Sequence, residues 1–400
     1  MVGLLPLEEC ILVRVQVPQQ SSLVSMDQEG YKCAIMMALY WPYKDESYSL
    51  NVSMKIEAID LFCGIGGLSY GLREAKVKVL AGLDNDGTCE EAYVKNNAAK
   101  FISADIADYD FSKMKSLFSK DSVKVLVGCA PCQPFSSHTF KAKDKEKDAR
   151  WNLIDHFIRA IDVLQPDIVS MENVRGITKT QVFKDFLSDV EKRGYKVDYS
   201  VVYCPDYGIP QNRSRLVFLA SRLGDIKIPA KTHSKGSYLT VGEVIKKLPK
   251  IESGGTNKKD QVHHAKNLAP INLKRIRQSR PGGTWHDWDK NLLPPCYKKD
   301  TGQTYTSVYG RMRWNDVSPT ITTQFYNYGS GRFGHPEQDR ALSIREGALL
   351  QTFPVDYDFG GHKSMSRIAK HIGNAVPPKL GFVIGKAIQD HIKHYGTSKV

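Results

Sequence analysis

The sequence predicts an α/β protein built on a doubly wound sheet, because short apolar runs alternate with segments of helical spacing. The first run, residues 56–62 (IEAIDLF), leads into a glycine turn at 63–67 (CGIGG), and residues 68–75 then have the spacing of a helix. A strand, a glycine turn and a helix in this order are typical of the nucleotide-binding opening of a doubly wound sheet. A tight turn that binds no ligand is the alternative.

Acidic residues follow the next two predicted strands. Residues 77–83 run into Asp84, Asn85 and Asp86, and Asp105 comes at the expected end of the third strand. In this fold, an acid at the end of the second strand commonly binds ribose hydroxyls. Two acids at successive strand ends predict a nucleoside ligand, although each alone is also typical of a surface aspartate.

The stretch around which the chain is organised is residues 123–136, VKVLVGCAPCQPFS. Its apolar half predicts a buried strand, and Pro131 and Pro134 hold Cys132 on a stiff turn beyond the carboxyl end of that strand. Ligands of open α/β sheets bind at this edge. Three interpretations of Cys132 compete: a small buried hydrophobe, a redox pair with Cys129, and a nucleophile that needs partners elsewhere.

Candidate partners of the Cys132 thiol follow later strands. Residues 167–171 form a predicted strand with Glu172 at its carboxyl end, on the edge that Cys132 shares. A carboxyl there could hold or donate a proton. Arg213 and Arg215 are two residues apart, so in an extended backbone they point to the same side. For the arginines, a structural salt bridge is the alternative.

The charge distribution separates one segment from the rest. The net charge is +13, and residues 221–335 hold 20 Lys and Arg against 8 Asp and Glu, a balance of +12. A localised basic surface favours a polyanion such as nucleic acid, and a solvated lysine-rich face is the alternative. The predicted division is an N-terminal extension, an α/β domain, a second and smaller domain, and a C-terminal return that completes the α/β domain, over residues 1–53, 54–220, 221–335 and 336–400.

Composition excludes several other classes of protein. No apolar run reaches the ~18 residues of a membrane span. The eight cysteines show neither a secreted disulfide framework nor paired zinc spacing. We therefore expect a reducing interior and no metal site.

Seven segments together resemble the cytosine-5 DNA methyltransferases, in the order in which that family carries them. They are DLFCGIGGLSYGL, GCAPCQPFS, MENV, QNRSR, SPTITT, LSIREGALLQTFP and IGNAVPP, and they extend over about residues 55–389. The resemblance implies a methyltransferase-type, Rossmann-like sheet that the C-terminal return completes. It also implies a small target-recognition domain, inserted where the basic segment lies.

The resemblance implies catalytic roles. Cys132 would add to carbon 6 of a flipped-out cytosine, and Glu172 would hydrogen-bond ring nitrogen 3 and the exocyclic amine. Arg213 and Arg215 would supply positive charge near the thiolate and the carbonyl oxygen of the base. The redox interpretation falls away, because Cys132, and not Cys129, lies at the position of the family's nucleophile.

The resemblance also implies S-adenosylmethionine as cofactor. Asp84 would bind the ribose hydroxyls, Asn85 would lie against the adenine, and Asp105 and Ile106 would hold the adenine edge. The other residues expected at the pocket are Phe62, Ile65, Gly66, Pro131, Leu153 and Asn374.

The implied protein is a single-chain DNA (cytosine-5) methyltransferase of a bacterial or archaeal restriction-modification system. We expect a cytoplasmic, nucleoid-associated monomer that acts on double-stranded DNA, with a restriction endonuclease specific for the same site. The alternatives are a transfer-RNA cytosine-5 methyltransferase and an inactive DNA-binding regulator on the same fold. Candidate DNA contacts are Arg275, Arg277, Arg280, Arg311 and Arg313.

Residues 1–53 carry none of the seven segments. Deleting them is expected to leave folding and methyl transfer intact, because no residue of the predicted site lies there. Thermal unfolding and transfer of a labelled methyl group, measured on the full chain and on the deletion variant, test this. Loss of folding in the deletion variant would contradict it.

Overall fold

The computed structural model describes residues 54–130, 153–299, 302, 306–361 and 364–395. The expectations for residues 1–53, Pro131 and Cys132 lie outside the described residues.

The described strands confirm the predicted α/β fold. Seven of them form one sheet in the order β3-β2-β1-β4-β5-β8-β6. Strands β1 to β5 pair in parallel, and β8 runs antiparallel to both β5 and β6. The short strands β7 and β9 pair separately. The strands are β1 Ile56–Leu61, β2 Lys78–Asp84, β3 Lys100–Ser103, β4 Val123–Gly128, β5 Ile168–Val174, β6 Lys196–Tyr203, β7 Gln211–Asn212, β8 Ser214–Ser221 and β9 Ser318–Pro319.

The helices follow the strands in doubly wound fashion and then continue past the sheet. They are α1 Gly67–Glu74, α2 Glu90–Asn97, α3 Ser112–Lys115, α4 Leu153–Leu164, α5 Gln181–Lys192, α6 Val241–Ile245, α7 Pro270–Gln278, α8 Ile344–Leu350, α9 Met365–Asn374 and α10 Pro378–Tyr395. In the ranges given above, no helix is long and apolar enough to cross a membrane.

The sheet is buried on both faces. Successive residues of a strand point to opposite faces, so Val125 and Val127 belong to one apolar cluster while Leu126 belongs to the other. Central parallel strands covered by helices on both sides need this continuous apolar character. A third cluster lies apart from the sheet and contains Trp285, Trp288 and other apolar residues between 268 and 341.

The last helix packs directly against the first. A Cβ atom on Gly71 of α1 would lie 2.1 Å from the Pro378 carbonyl oxygen, and one on Gly381 would lie 2.7 Å from the Leu68 carbonyl oxygen. The two backbones therefore approach at positions where only glycine fits. Residues 378–395 thus support the helix that follows the glycine turn.

A buried ion pair holds the start of the C-terminal return. Both terminal nitrogens of Arg340 donate to the Glu346 carboxylate at 2.7 Å, and both side chains are almost fully buried. Burial alone would raise the pKa of Glu346, but the hydrogen bonds and charge of Arg340 outweigh it and lower that pKa to about 2. Glu346 also accepts from the Ser343 backbone N–H and so closes the capping box of α8.

Replacing Glu346 by Gln is expected to lower the free energy of unfolding by about 3–5 kcal/mol at neutral pH, because the Arg340 charge stays buried without its partner. The contribution of a carboxyl with a lowered folded-state pKa is complete above its ordinary value of 4.5 and is lost as the pH falls toward 2. The difference between wild type and E346Q should therefore shrink as the pH falls below 4.5.

Urea unfolding at several pH values measures this difference. The matched control is E337Q, which removes an exposed partner of Lys250 and should change stability little at any pH. A difference between wild type and E346Q that stays constant with pH would contradict the assignment.

Candidate active site

Four parallel strands bring the predicted site residues to one edge of the sheet. Leu61 at the end of β1 pairs with Leu83 of β2 and with Gly128 of β4, and Gly128 pairs in turn with Met171 of β5. The residues that follow these positions are the glycine turn, Asp84, Cys129 and Glu172. The glycine turn, Asp84, Cys129 and Glu172 therefore lie at the edge formed by the carboxyl ends of the strands, where the sequence predicts a ligand site.

The glycine turn has one packed side and one open side. Gly66 has φ +88°, and a Cβ there would lie 2.1 Å from Asn97 Nδ2 and 2.9 Å from the Tyr93 ring. Gly64 has φ +51°, and a Cβ there would meet no atom of the described residues within 4 Å. The turn is therefore fixed against the protein at Gly66 and leaves open space at Gly64.

Asp84 joins the glycine turn to the end of β2. Its Oδ2 accepts from the Gly64 backbone N–H at 2.8 Å, and its Oδ1 accepts from the Asp86 backbone N–H at 2.9 Å. Burial raises the pKa of Asp84 above its usual value. A carboxylate oxygen can accept two hydrogen bonds, so each oxygen of Asp84 can still accept one from a ligand hydroxyl.

A cleft of about 650 Å³ connects the end of β2 with the IGNAVPP segment. Its lining includes Asp86 and Thr88 on one side and Lys370 and Asn374 of α9 on the other. Lys370 Nζ lies 3.2 Å from Asp86 Oδ2. Asn374, which the sequence predicts at the cofactor pocket, lines this cleft. Sequence reasoning missed the Asp86–Lys370 pair, because 284 residues separate its members.

One group of side chains near this cleft has the composition of a metal site. The possible ligand atoms of Asp86, Cys89 and His371 lie within 4.8 Å of one another. The Lys370 ammonium already neutralises the Asp86 carboxylate, so a second cation would be repelled. The geometry therefore gives no support for a metal ion here.

The acid and the arginines predicted as catalytic form one cluster at the ends of β5 and β8. Glu172 is 2% exposed, and its Oε1 lies 3.1 Å from Arg215 Nε while its Oε2 lies 2.8 Å from Cys129 Sγ. Arg213 is 4% exposed and donates to the Ile321 carbonyl at 3.2 Å. Burial, and then the charge of Arg215, lower the pKa of Arg213 to about 10, so it stays charged at neutral pH.

Two buried glutamines hold the arginine-bearing segment in place. Gln211 donates to the Leu350 carbonyl at 3.1 Å and accepts from the Ile321 backbone N–H at 3.2 Å. It also donates to the Gln351 side chain, which itself donates to the Ala375 carbonyl at 2.8 Å. Four motifs that are distant in sequence meet at these two amides. Sequence reasoning missed both, although a glutamine after the apolar helix α8 is a signal that it could have used.

The other residues predicted for cofactor binding differ in exposure. Ile65 and Ile106 are buried within the two apolar clusters of the sheet, and Phe62 and Leu153 are partly buried against one of them. The remaining residues are exposed or form local contacts: Asn85 and Asn374 are exposed, and Asp105 accepts from the Ala107 backbone N–H at 2.9 Å.

Comparison with models of protein families identifies the family of this chain. The model of the C-5 cytosine-specific DNA methylases matches residues 56–390, more than four fifths of the chain. The chain belongs to this family. It is a DNA (cytosine-5) methyltransferase, as the seven segments predict.

Individual relatives agree with this assignment. The Type II methylase M.HgiDII of Herpetosiphon aurantiacus is 50% identical over 336 residues, 83% of this chain and 94% of that protein. The Type II methyltransferase M1.HphI of Haemophilus parahaemolyticus is 30% identical over 348 residues, 84% of this chain and 87% of that protein. A solved structure of mutant Spodoptera frugiperda DNMT2 superposes with a TM-score of 0.59 at 18% identity, covers 83% of this chain and 99% of that chain, and supports the fold alone.

Two of the five arginines predicted to contact DNA bond to other parts of the methyltransferase: Arg311 is buried and Arg275 is partly buried. Arg311 is 5% exposed and donates to the carbonyls of Ile276, Ser279 and other residues, so the prediction that it contacts DNA is wrong. Arg275 donates to the Leu292 carbonyl at 2.8 Å and stacks over Trp288. Both residues stabilise the third apolar cluster.

Three of the five arginines remain available at the surface. Arg277, Arg280 and Arg313 are each more than half exposed, and each pairs with one aspartate. Arg313 also lines a second cleft, of about 590 Å³, with Lys235, Arg332 and other residues. These positive charges suit a polyanion.

Adding one methyl group is expected to affect mainly stability at Gly66 and mainly ligand binding at Gly64. Gly66→Ala is expected to destabilise the methyltransferase by about 1–3 kcal/mol or more, because the new Cβ clashes and φ is positive. Gly64→Ala costs only the φ strain of about 1 kcal/mol, but it fills the open side of the turn and should weaken binding of the methyl donor. Thermal unfolding and calorimetric titration with the donor separate the two effects. Unchanged donor affinity in G64A would contradict this.

Proposed function

We propose that this methyltransferase transfers the methyl group of S-adenosylmethionine to carbon 5 of a flipped-out cytosine in double-stranded DNA. The observation that carries the proposal is the buried cluster of Glu172, Arg213 and Arg215 beside the end of β4. Cys132 follows that strand end by four residues. The cluster offers an acid for the base and positive charge for a thiolate.

The residues present fit S-adenosylmethionine. Asp84 keeps acceptor capacity for ribose hydroxyls, and the space in front of Gly64 lets a ligand approach the backbone. The cofactor, when bound, supplies a sulfonium-activated methyl group. The residues proposed to hold it are Phe62, Ile65, Gly66, Asp84, Asn85, Asp105, Ile106, Pro131, Leu153 and Asn374.

Cys132 is the proposed nucleophile. A free thiol has a pKa of ~8.5, and neighbouring positive charge increases the thiolate fraction. The charges of Arg213 and Arg215 would act in this way. The thiolate adds to carbon 6 of cytosine, carbon 5 becomes enamine-like and takes the methyl group, and loss of the carbon-5 proton then expels the thiol.

Glu172 is the proposed partner of the cytosine ring. Its buried Oε1 faces Arg215 and makes no hydrogen bond to any residue that the structure describes. A buried acceptor of this kind is costly unless a ligand uses it. The exocyclic amine of cytosine would donate to it. Ring nitrogen 3 of neutral cytosine has no hydrogen, so its contact with Glu172 needs a proton between the two, and that proton would offset the negative charge that builds in the ring during addition.

The substrate is proposed to be duplex DNA. Carbons 5 and 6 of cytosine are inaccessible inside a duplex, so the base must be flipped out at a cost of a few kcal/mol. The exposed Arg277, Arg280 and Arg313 in the basic segment can neutralise backbone phosphates and offset this cost. The Type II names of the relatives support a role in protecting host DNA in a restriction-modification system. We therefore infer a monomer in the bacterial or archaeal cytoplasm, alongside an endonuclease of the same specificity.

Bisulfite sequencing of plasmid DNA from a methylation-deficient host that expresses the chain tests the proposal. Protected cytosines are expected in one short recurring sequence. The matched control is Cys132→Ala, which should abolish protection while the purified variant still binds DNA in a mobility-shift assay, because it lacks only the nucleophile. Protection in transfer RNA instead of plasmid, or DNA binding by the wild type with no methylation, would contradict the proposal.

A further inference from the structure

Cys129 contacts the proposed catalytic acid directly. Gly128 and Met171 are paired neighbours on β4 and β5, so the next residues, Cys129 and Glu172, leave the sheet side by side. Cys129 Sγ lies 2.8 Å from Glu172 Oε2, and the contact is partly buried. It is a contact between the ends of two strands, which the sheet register fixes.

The thiol must be the donor in this contact. A carboxylate can only accept, and a thiolate at 2.8 Å would be repelled by it, so Cys129 donates its S–H to Glu172. On the other side of the carboxyl group, Oε1 faces Arg215 Nε at 3.1 Å without a hydrogen bond. The two oxygens of Glu172 are therefore in different environments. Cys129 bonds Oε2, whereas Oε1 is ion-paired with Arg215 but accepts no hydrogen bond from a described residue and so keeps the capacity to accept one from a ligand.

We propose that Cys129 is a positioning residue for Glu172 in the methyl-transfer reaction. Its thiol holds Oε2 against β4 and so presents Oε1 to the target cytosine. This inference rests on the proposed function, in which Glu172 binds the base. Without the donor, Oε2 is left buried and unsatisfied, and the ion pair with Arg215 alone does not fix the rotation of the carboxyl group. The base would then bind without the aligned acid, which affects the rate more than the affinity.

The position of Cys129 accounts for this role better than the other roles a thiol can take. As a nucleophile it would need to be ionised, and its carboxylate partner opposes this. If Cys129 served only as apolar packing, its thiol would not need a hydrogen bond to the buried Glu172, which is 2% exposed. A serine would keep the donor on a shorter side chain, whereas an alanine would remove it. These two substitutions therefore separate hydrogen bonding from bulk.

The test compares wild type, C129A, C129S, E172Q and the double variant C129A/E172Q. Steady-state methyl transfer to the DNA substrate gives kcat and KM, and the rate of covalent adduct formation with 5-fluorocytosine duplex DNA is measured in parallel. C129A is expected to lower kcat and the adduct rate about 10–100-fold, with KM for DNA changed less than about threefold. C129S should recover most of the loss. Cys296→Ala, which removes an exposed thiol, is the control and should match wild type.

The double variant distinguishes positioning from a general structural effect. If Cys129 acts through Glu172, C129A should lower the adduct rate little further in the E172Q background, because the two changes remove one interaction. Additive losses, or a C129S variant as slow as C129A, would overturn the proposal. If C129A does not fold by circular dichroism, the comparison of C129S with wild type and E172Q decides.

The wild-type result separates this inference from the proposed function. A wild type that forms no adduct with 5-fluorocytosine DNA overturns the proposed function and the inference together. A wild type that forms the adduct, beside a C129A variant of equal rate, overturns the inference alone.

Discussion

The arrangement of the active-site edge depends on two buried amide side chains, Gln211 and Gln351. Together they bond to the backbone at Ile321, Leu350 and Ala375 and to each other. An amide left unsatisfied in the interior costs about 1–3 kcal/mol per group. The segments that supply the partners must therefore all be in place before this region is stable. Arg213 and Arg215 lie two and four positions after Gln211, so their placement depends on residues more than a hundred positions later.

The second constraint is electrostatic. Glu172, Arg213 and Arg215 form a cluster with one negative and two positive charges in a nearly dry part of the sheet edge. Burial disfavours the Arg213 charge and lowers its pKa, yet the nearby Glu172 offsets part of this. A cluster with an excess positive charge is stabilised when an anion joins it. The proposed thiolate nucleophile would meet this electrostatic requirement better than a neutral nucleophile.

Sequence reasoning predicted those parts that depend on local pattern. The apolar runs located β1, β2, β4 and β5, and in a parallel sheet the strand ends must share an edge, so Asp84 and Glu172 were placed correctly at that edge. Sequence reasoning failed where the position of a side chain depends on hydrogen bonds between residues that are distant in sequence. Arg311 and Arg313 are alike in sequence, but one bonds four carbonyls inside the protein and the other lies at the surface.

Cys129 shows the same limit from another direction. The sequence suggests a redox role for Cys129 only as half of a C-x-x-C pattern. Once Cys132 is assigned as the nucleophile, the sequence offers no role for Cys129. Its contact with Glu172 depends on the register of β4 against β5, and no local spacing encodes that register. Seven motifs in order identify the family because each can be recognised from a short stretch of sequence. The contacts between the motifs are specific to the three-dimensional arrangement and had to be observed.

The packing of α10 on α1 has a consequence for biosynthesis. About 300 residues separate the two helices, so at 5–20 residues per second the ribosome needs roughly 15–60 s to make the second after the first. During that time Leu68 and Leu72, which are buried in the finished protein, lack part of their cover. The nascent chain therefore exposes an apolar helix face beside the unsupported glycine turn until α10 has been made. Premature termination would yield aggregation-prone fragments and no partly active methyltransferase.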